Sequence, residues 1–286
     1  LHGKSFIPLL VGFGCNVPAV MGTRTLENPG DRMITILVSP FMSCSARLPV
    51  YTLLLAAFFT DGIAGTVLFS IYMLGIVLAV GMAMVFRKTI FPGSTDAFIM
   101  EMPLYHAPTV RSIVTHMWER SALYLKKAGT LILTASILIW FLTNYPAEVD
   151  FSKDYDAAKA QITQQAETGK IEAAELESQR ARLDKEQAGE KLAKSYAGQF
   201  GHAIEPVIRP LGFDWKIGVG LVSAVAAKEV LVSTLGTIYS MGGEEDENSD
   251  DLRQAMKDDP VFNPLVALSL MAFTLLYSPC LAVLAV

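Results

Sequence analysis

Charged residues are scarce in this chain of 286 residues. Asp, Glu, Lys and Arg make up 18% of it, against roughly 25% in a typical soluble domain. The formal net charge is −5, and no stretch interleaves Lys or Arg with aromatic residues, which argues against a groove for nucleic acid. Because 52% of the residues are hydrophobic, the composition is that of a membrane protein with polar insertions.

Cysteine is also rare. Cys15, Cys44 and Cys280 are the three cysteines of the chain, and each lies in an uncharged stretch far from the other two. An odd number of widely spaced thiols within apolar sequence argues against a disulfide framework.

The known catalytic motifs are missing as well. The sequence has no Walker loop, nucleophile elbow, zincin motif or haem-attachment motif, and His2, His116 and His202 lack the spacing of metal ligands. We therefore expect no enzyme activity and no bound cofactor in this chain. It opens on Leu1 without a signal-peptide pattern and stops at Val286 inside an apolar run, so we expect it to be part of a longer protein.

Long uncharged runs predict helices that cross a membrane, since such a helix needs roughly 20 apolar residues. The runs are 62–86, 128–147 and 261–286. Other apolar runs are shortened or interrupted by proline, glycine or charge: 5–23, 33–46, 48–60 and 217–243. Interrupted helices survive in a membrane only when they are buried in protein or line a cavity, so these segments favour a transport pathway.

The fold class that follows is all-α: a polytopic bundle of transmembrane helices, some of them broken or re-entrant, with a polar helical insert. The insert, 148–215, is rich in Ala, Glu, Gln and Lys. Lys and Arg are concentrated in 87–127, which favours the cytoplasm for that segment. We place Arg24, Arg32 and Arg47 on the same side, and the insert on the opposite, extracytoplasmic side.

A proline accompanies each cysteine within about four residues, and proline opens a membrane helix by removing a backbone donor. The pairs are Cys15 with Pro18, Cys44 with Pro40, and Cys280 with Pro279. Sulfur ligands favour Fe, Zn or Cu(I) over Mg and Ca. Oxygen ligands from Asn16, Ser43 and Ser45 would suit a site that must also release its ion. The alternative is that each cysteine packs as a small hydrophobic residue.

Glu229 and Glu101 are the two carboxylates that could contribute to an ion path. Lys228 and Glu229 interrupt the apolar run 217–243, where a charge near the bilayer centre costs roughly 2.5–3.5 kcal/mol on insertion scales. Glu229 is therefore either half of a salt bridge between broken helices or an oxygen ligand and proton acceptor. Glu101 and His106 could receive an ion at the cytoplasmic end, or belong to an interfacial hinge.

Five segments together form a recognisable pattern: 1–18, which ends in Gly14-Cys15-Asn16-Val17-Pro18; 40–49, which begins Pro40-Phe41-Met42-Ser43-Cys44-Ser45-Ala46-Arg47; Glu101-Met102-Pro103-Leu104-Tyr105; Ala227-Lys228-Glu229-Val230; and Tyr277-Ser278-Pro279-Cys280. In their order and spacing these segments resemble the ferrous iron transport protein B family, FeoB. The resemblance implies a multi-pass importer of Fe²⁺ in the bacterial inner membrane, with paired gate regions. It also implies a cytoplasmic GTP-binding domain that uses Mg²⁺ and lies N-terminal to this chain, and small cytoplasmic Feo-type partner proteins.

The resemblance also assigns roles along the chain. Residues 1–147 would hold the end of the first gate and the cysteine-bearing broken helices, 148–215 the insert, and 216–286 the second gate region. The three cysteines match family cysteines that are proposed to line the ion path, and Glu101 and Glu229 match carboxylates of recurring motifs. A pore could lie within one chain or between copies in a homo-oligomer. The alternatives are a transporter of another divalent metal or of a nucleoside-like solute, or a membrane sensor of metal or redox state.

Overall fold

The computed structural model describes most of the chain outside the polar insert. The described residues are 3–91, 109–146, 153, 155, 158, 179, 183, 187, 189–191, 193–239, 250–277 and 279–286. All regular secondary structure within these residues is helical, which confirms the all-α prediction.

The described α-helices are numbered here in chain order. They are α1 (Phe6–Gly12), α2 (Asn16–Gly22), α3 (Pro29–Val38), α4 (Leu48–Phe58), α5 (Asp61–Thr89), α6 (Val110–Asn144), α7 (Tyr196–Ile208), α8 (Trp215–Ser223), α9 (Val230–Ile238), α10 (Asp250–Asp258), α11 (Pro264–Leu276) and α12 (Leu281–Leu284). Short 3₁₀ turns occupy Gly3–Ser5, Thr23–Thr25, Ser39–Phe41, Ser45–Arg47 and Arg209–Leu211.

Three stretches among the described residues are long and apolar enough to cross a membrane. They are Pro29–Phe58, Gly62–Thr89 and Pro264–Leu284. The second and third agree with the predicted runs 62–86 and 261–286. The run 128–147 falls within α6, a helix of 35 residues that begins well before it, and the described apolar part of α6 is Ile132–Asn144.

The chain divides into two compact units. The first unit comprises Leu1–Ala46, Phe69–Thr134 and Thr274–Val286, and the second comprises Arg47–Leu68 and Ala135–Phe273. The first unit therefore contains all three cysteines, and the second contains Glu229.

Antiparallel packing of α3 against α5 forms one core of the first unit. Ile34, Val38 and Met42 are buried with Ala79 and Ala83. At one end the Asp31 carboxylate pairs with the Arg87 guanidinium. At the other, Gly75 admits the chain that follows α3, because a Cβ atom at this position would lie 2.7 Å from the Phe41 carbonyl oxygen.

In the second unit α7 packs closely against α8. A Cβ atom at Gly201 would lie 2.6 Å from Cγ2 of Val219 and 2.9 Å from the Trp215 carbonyl oxygen. Ser195 caps the start of α7 by accepting a hydrogen bond from the Gly198 N–H. The C-terminal part of the polar stretch 148–215 thus joins the helical packing of this unit.

Candidate functional site

The first cysteine lies at a break between two short helices. Helix α1 ends at Gly12 and α2 begins at Asn16, and Cys15 between them is extended, with φ −153° and ψ 131°. Pro18 falls in the first turn of α2, where backbone N–H groups have no intrahelical partner and the missing proline N–H costs nothing. The predicted interruption is present, and it comes before the proline.

The second cysteine lies in a longer break. After α3 ends at Val38, the chain makes a 3₁₀ turn at Ser39–Phe41 and extends at Met42 (φ −69°, ψ 125°) before the next turn at Ser45–Arg47. Cys44 is half-buried between these turns. Ser43 beside it is 2% exposed, and its hydroxyl has no hydrogen-bond partner within the described part of the chain. Leaving a buried hydroxyl unsatisfied costs about 1–3 kcal/mol, which makes Ser43 a candidate for contact with a ligand.

The third cysteine caps the last helix. Helix α11 ends at Leu276, and Cys280 stands before α12 with extended backbone angles, φ −62° and ψ 155°. All three cysteines therefore lie where a helix is interrupted. Each is half-buried, and none is in a disulfide.

Contacts within the first unit bring these interruptions together. The Ser45 hydroxyl donates a hydrogen bond of 2.8 Å to the Gly14 carbonyl oxygen, and the Ser45 N–H donates to the same oxygen at 3.3 Å. Cys15 and Cys280 pack against one hydrophobic cluster, formed by Val17, Val20, Ala282 and Val283. The break at Cys15 is thus connected to each of the other two.

Asn16 is buried at the start of α2. Its side-chain amide is 3.1 Å from the Ser39 carbonyl oxygen and 3.2 Å from the Gly12 carbonyl oxygen, and the hydrogen-bond network assigns the nitrogen to the position that faces them. The Gly12 carbonyl ends α1, where the last C=O groups lack intrahelical partners, whereas the Ser39 carbonyl also accepts a hydrogen bond from the Met42 N–H. Asn16 therefore provides a donor for the carbonyl group that the break after α1 releases and connects it to the turn that follows α3.

The sulfur atoms do not form a closed cage. Within the described residues no group of three or more His, Cys, Asp or Glu side chains is arranged to hold a metal ion. The predicted ligands near the cysteines, from Asn16 to Ser45, and the cysteines themselves are therefore distributed over linked breaks in the first unit. Glu229 is exposed in the turn before α9 in the second unit, next to the buried Lys228, and Glu101 lies outside the described residues.

One charged cluster in the second unit escaped the sequence analysis. Lys216 Nζ lies 2.6 Å from Asp259 Oδ2, and the Tyr239 hydroxyl donates to the same oxygen at 2.8 Å. Burial alone raises the pKa of Asp259, but hydrogen bonds from Lys216, the Val261 N–H and Tyr239, together with the Lys216 charge, bring it below its ordinary value. These residues are far apart in sequence, and only their polarity beside apolar runs could have indicated them.

The fold and these breaks define an all-α membrane protein with interrupted helices that carry thiols. A family model described as Nucleoside recognition, Gate, matches residues 1–58 and 125–286. A second, described as Ferrous iron transport protein B C terminus, matches residues 68–120. The chain therefore belongs to the Gate family, and the two matches together confirm the resemblance to ferrous iron transport protein B.

Curated relatives agree over nearly the whole chain. The Fe(2+) transport protein A/Fe(2+) transporter FeoB fusion protein of Porphyromonas gingivalis is 50% identical over 99% of this chain and 34% of its own length. The Fe(2+) transporter FeoB of Campylobacter jejuni is 43% identical over 99% of this chain and 41% of its length. The Fe(2+) transporter FeoB of Methanocaldococcus jannaschii is 37% identical over 100% of this chain and 37% of its own length. The chain thus spans about two fifths of these relatives or less. No solved structure matches it.

Proposed function

We propose that the protein containing this chain is a multi-pass permease that imports Fe²⁺ across the bacterial inner membrane. The observation that carries the proposal is the set of three thiols at linked helix interruptions in one compact unit. The names of the relatives, which are Fe(2+) transporters, supply the ion.

The chemistry of the breaks suits a transition metal that must leave its water. Interruption of a helix exposes carbonyl oxygens, and Cys15, Cys44 and Cys280 add sulfur, which favours iron over Mg²⁺ and Ca²⁺. The thiolate is the ligand, so binding releases a proton and weakens as pH falls. Few protein ligands at each step keep the ion exchangeable, as conduction requires.

The contacts of the remaining site residues separate those that could bind the ion from those that position the helix breaks. The Ser43 hydroxyl supplies an oxygen beside Cys44. Asn16 and Ser45, which the sequence analysis assigned as oxygen ligands, hold the breaks in position through the carbonyl groups of Gly12, Ser39 and Gly14. Glu101 and Glu229 serve as hard ligands or charge-balancing groups along the route. In this proposal 1–147 and 216–286 form the membrane region, with the first and second gates, and 148–215 is the extracytoplasmic insert.

Gating comes from outside this chain. A GTP-binding domain with Mg²⁺ elsewhere in the full-length protein opens the path, and this chain itself performs no hydrolysis. A small cytoplasmic partner regulates it. The Porphyromonas gingivalis relative is named as a fusion of Fe(2+) transport protein A with the transporter, which supports a partner of this kind.

The test is uptake by the full-length protein in sealed liposomes under anoxic, reducing conditions. We expect uptake of radiolabelled Fe²⁺ that an iron chelator abolishes, with Mn²⁺ and Zn²⁺ as competitors that define selectivity. Protein-free liposomes are the control. Chelator-insensitive uptake of a nucleoside, which the description of the Gate model suggests as the second candidate, would overturn the proposal. Metal-independent thiol oxidation without any flux would instead indicate a sensor.

A further inference from the structure

A groove lies at the C-terminal end of α5 in the first unit. Its volume is about 350 Å³, and the lining residues are Val80, Ala83, Met84, Arg87 and Lys88. Residues three and four apart share one face of a helix, so this lining runs along a single face from apolar side chains to two cations. None of the predicted site residues belongs to it.

The apolar part of this face has the character of a lipid-facing surface. Only 17% of the most apolar stretch within Gly62–Thr89 is buried inside the protein. Val80 is 49% exposed and Met84 is 63% exposed. A helix that is hydrophobic on all sides is either buried in protein or spans a membrane. Because this helix is little buried, we infer that it faces lipid.

The charged part of the groove carries a net positive charge at the end of the span. Arg87 is paired with Asp31, so those two charges cancel and the exposed Lys88 leaves an excess of +1. The concentration of Lys and Arg in 87–127 assigns this end to the cytoplasmic leaflet, which is the leaflet enriched in anionic lipids. The carbonyl end of a helix also favours cations.

We propose that this groove binds an anionic phospholipid. The lipid phosphate sits at Lys88 beside the Asp31–Arg87 pair, and the first methylenes of an acyl chain lie along Met84 and Val80. The volume is at the lower end of the roughly 300–1,000 Å³ of ligand pockets, which suits a headgroup with the start of its chains. Free phosphate would leave the apolar lining without a role. The inference rests on the membrane placement in the proposed function and not on iron transport.

The experiment measures lipid binding without iron. Purified, delipidated full-length protein is titrated with phosphatidylglycerol or phosphatidylcholine, and bound lipid is counted by native mass spectrometry. The variants are Lys88→Gln, Lys88→Arg and the matched control Lys126→Gln, which removes an exposed lysine of α6. One Lys near a membrane surface contributes an attraction equivalent to about fivefold in affinity, so we expect K88Q to lower phosphatidylglycerol binding by about that factor. K88R and K126Q should retain it.

Three outcomes would overturn the inference. The first is equal binding of phosphatidylcholine and phosphatidylglycerol by the unmodified protein. The second is an equal loss in K88Q and K126Q, which would indicate general surface charge. The third is full competition by inorganic phosphate, which would indicate a site for the free anion. Failure of Fe²⁺ uptake in liposomes leaves this measurement unaffected, so the two proposals fail separately.

Discussion

Ser45 and Gly14 are 31 residues apart in the chain, yet the Ser45 hydroxyl and N–H both donate hydrogen bonds to the Gly14 carbonyl oxygen. That oxygen precedes Cys15, and Ser45 follows Cys44. The two hydrogen bonds therefore connect two thiol-bearing breaks, as the proposed transfer of an ion between them requires.

Replacing Ser45 with Ala removes the side-chain hydrogen bond and leaves the backbone one. A single hydrogen bond contributes about 0.5–1.5 kcal/mol to stability, so we expect S45A to lower the free energy of unfolding by about 1 kcal/mol and to slow Fe²⁺ uptake several-fold. Thermal unfolding in detergent and liposome uptake check both effects. Ser233→Ala is the control, because the exposed Ser233 hydroxyl donates to a local carbonyl, that of Val230. Equal uptake by S45A and S233A would contradict a positioning role.

Asn16→Asp separates a positioning role from a ligand role. The aspartate keeps an oxygen at this position but loses the N–H groups that face the Gly12 and Ser39 carbonyls. The Ser39 carbonyl keeps its hydrogen bond from the Met42 N–H, but the Gly12 carbonyl loses the Asn16 donor, which should cost about 1–3 kcal/mol, and uptake should fall with stability. Chemical unfolding alongside the uptake assay gives both values. A stable N16D variant with full or raised uptake would instead identify the side-chain oxygen as a metal ligand.

Gly75→Ala should strain the contact between α5 and the chain before Cys44. The new Cβ would lie 2.7 Å from the Phe41 carbonyl oxygen and 3.3 Å from Cδ1 of Leu275, and overpacking of this kind costs about 1–3 kcal/mol. Gly81→Ala on the same helix is the control, since nothing lies within 4 Å of its Cβ position. We expect the melting temperature of G75A to lie well below that of wild type, and the melting temperature of G81A to equal or exceed it. Matching melting temperatures would contradict the close approach.

Two aspartates of the second unit should shift the pH dependence of stability in opposite directions. Burial raises the pKa of Asp214 above its ordinary value of 3.8, so its ionisation removes stability as pH rises from 3.8 through the folded pKa. The pKa of Asp259 is held below 3.8, so its stabilisation is complete above 3.8 and is lost as pH falls through the folded pKa.

Unfolding followed by tryptophan fluorescence between pH 3 and 7 tests these directions. We expect Asp259→Asn to be less stable than wild type at pH 7 and to lose less stability on acidification. Asp214→Asn should abolish the loss that accompanies rising pH, while its side chain still accepts the cap hydrogen bond from the Ile217 N–H as asparagine does at helix N-termini. Parallel curves for the two variants would contradict the assigned pKa directions.

The helix interruptions could be predicted from sequence because their signals are local. Proline, glycine and uncharged sequence around Cys15, Cys44 and Cys280 suffice to predict a break near each thiol. The contact between Ser45 and Gly14 could not be predicted, since it depends on how distant segments pack. The orientation of the Asn16 amide could not be predicted either, and the sequence pattern alone suggested its oxygen as a metal ligand.

Charge counting predicts the membrane side of an arginine but does not predict the surroundings of its side chain. Arg32 and Arg87 are both predicted to lie on the cytoplasmic side, and that placement stays a prediction; the structure shows the Asp31 carboxylate paired with Arg87. Arg47 was counted with them, but its side chain is 1% exposed at the start of α4. A residue count registers the charge of an arginine, but its burial depends on how distant parts of the chain pack around it.

The most direct test of the central claim is Fe²⁺ uptake by full-length protein carrying Cys15→Ser, Cys44→Ser or Cys280→Ser one at a time. Serine keeps the volume close to that of cysteine and removes the soft thiolate ligand, and uptake is normalised to the folded protein in each liposome preparation. We predict that each variant keeps its melting temperature close to wild type and loses most of its uptake. Wild-type uptake and metal selectivity in all three would contradict the claim that these thiols line the path.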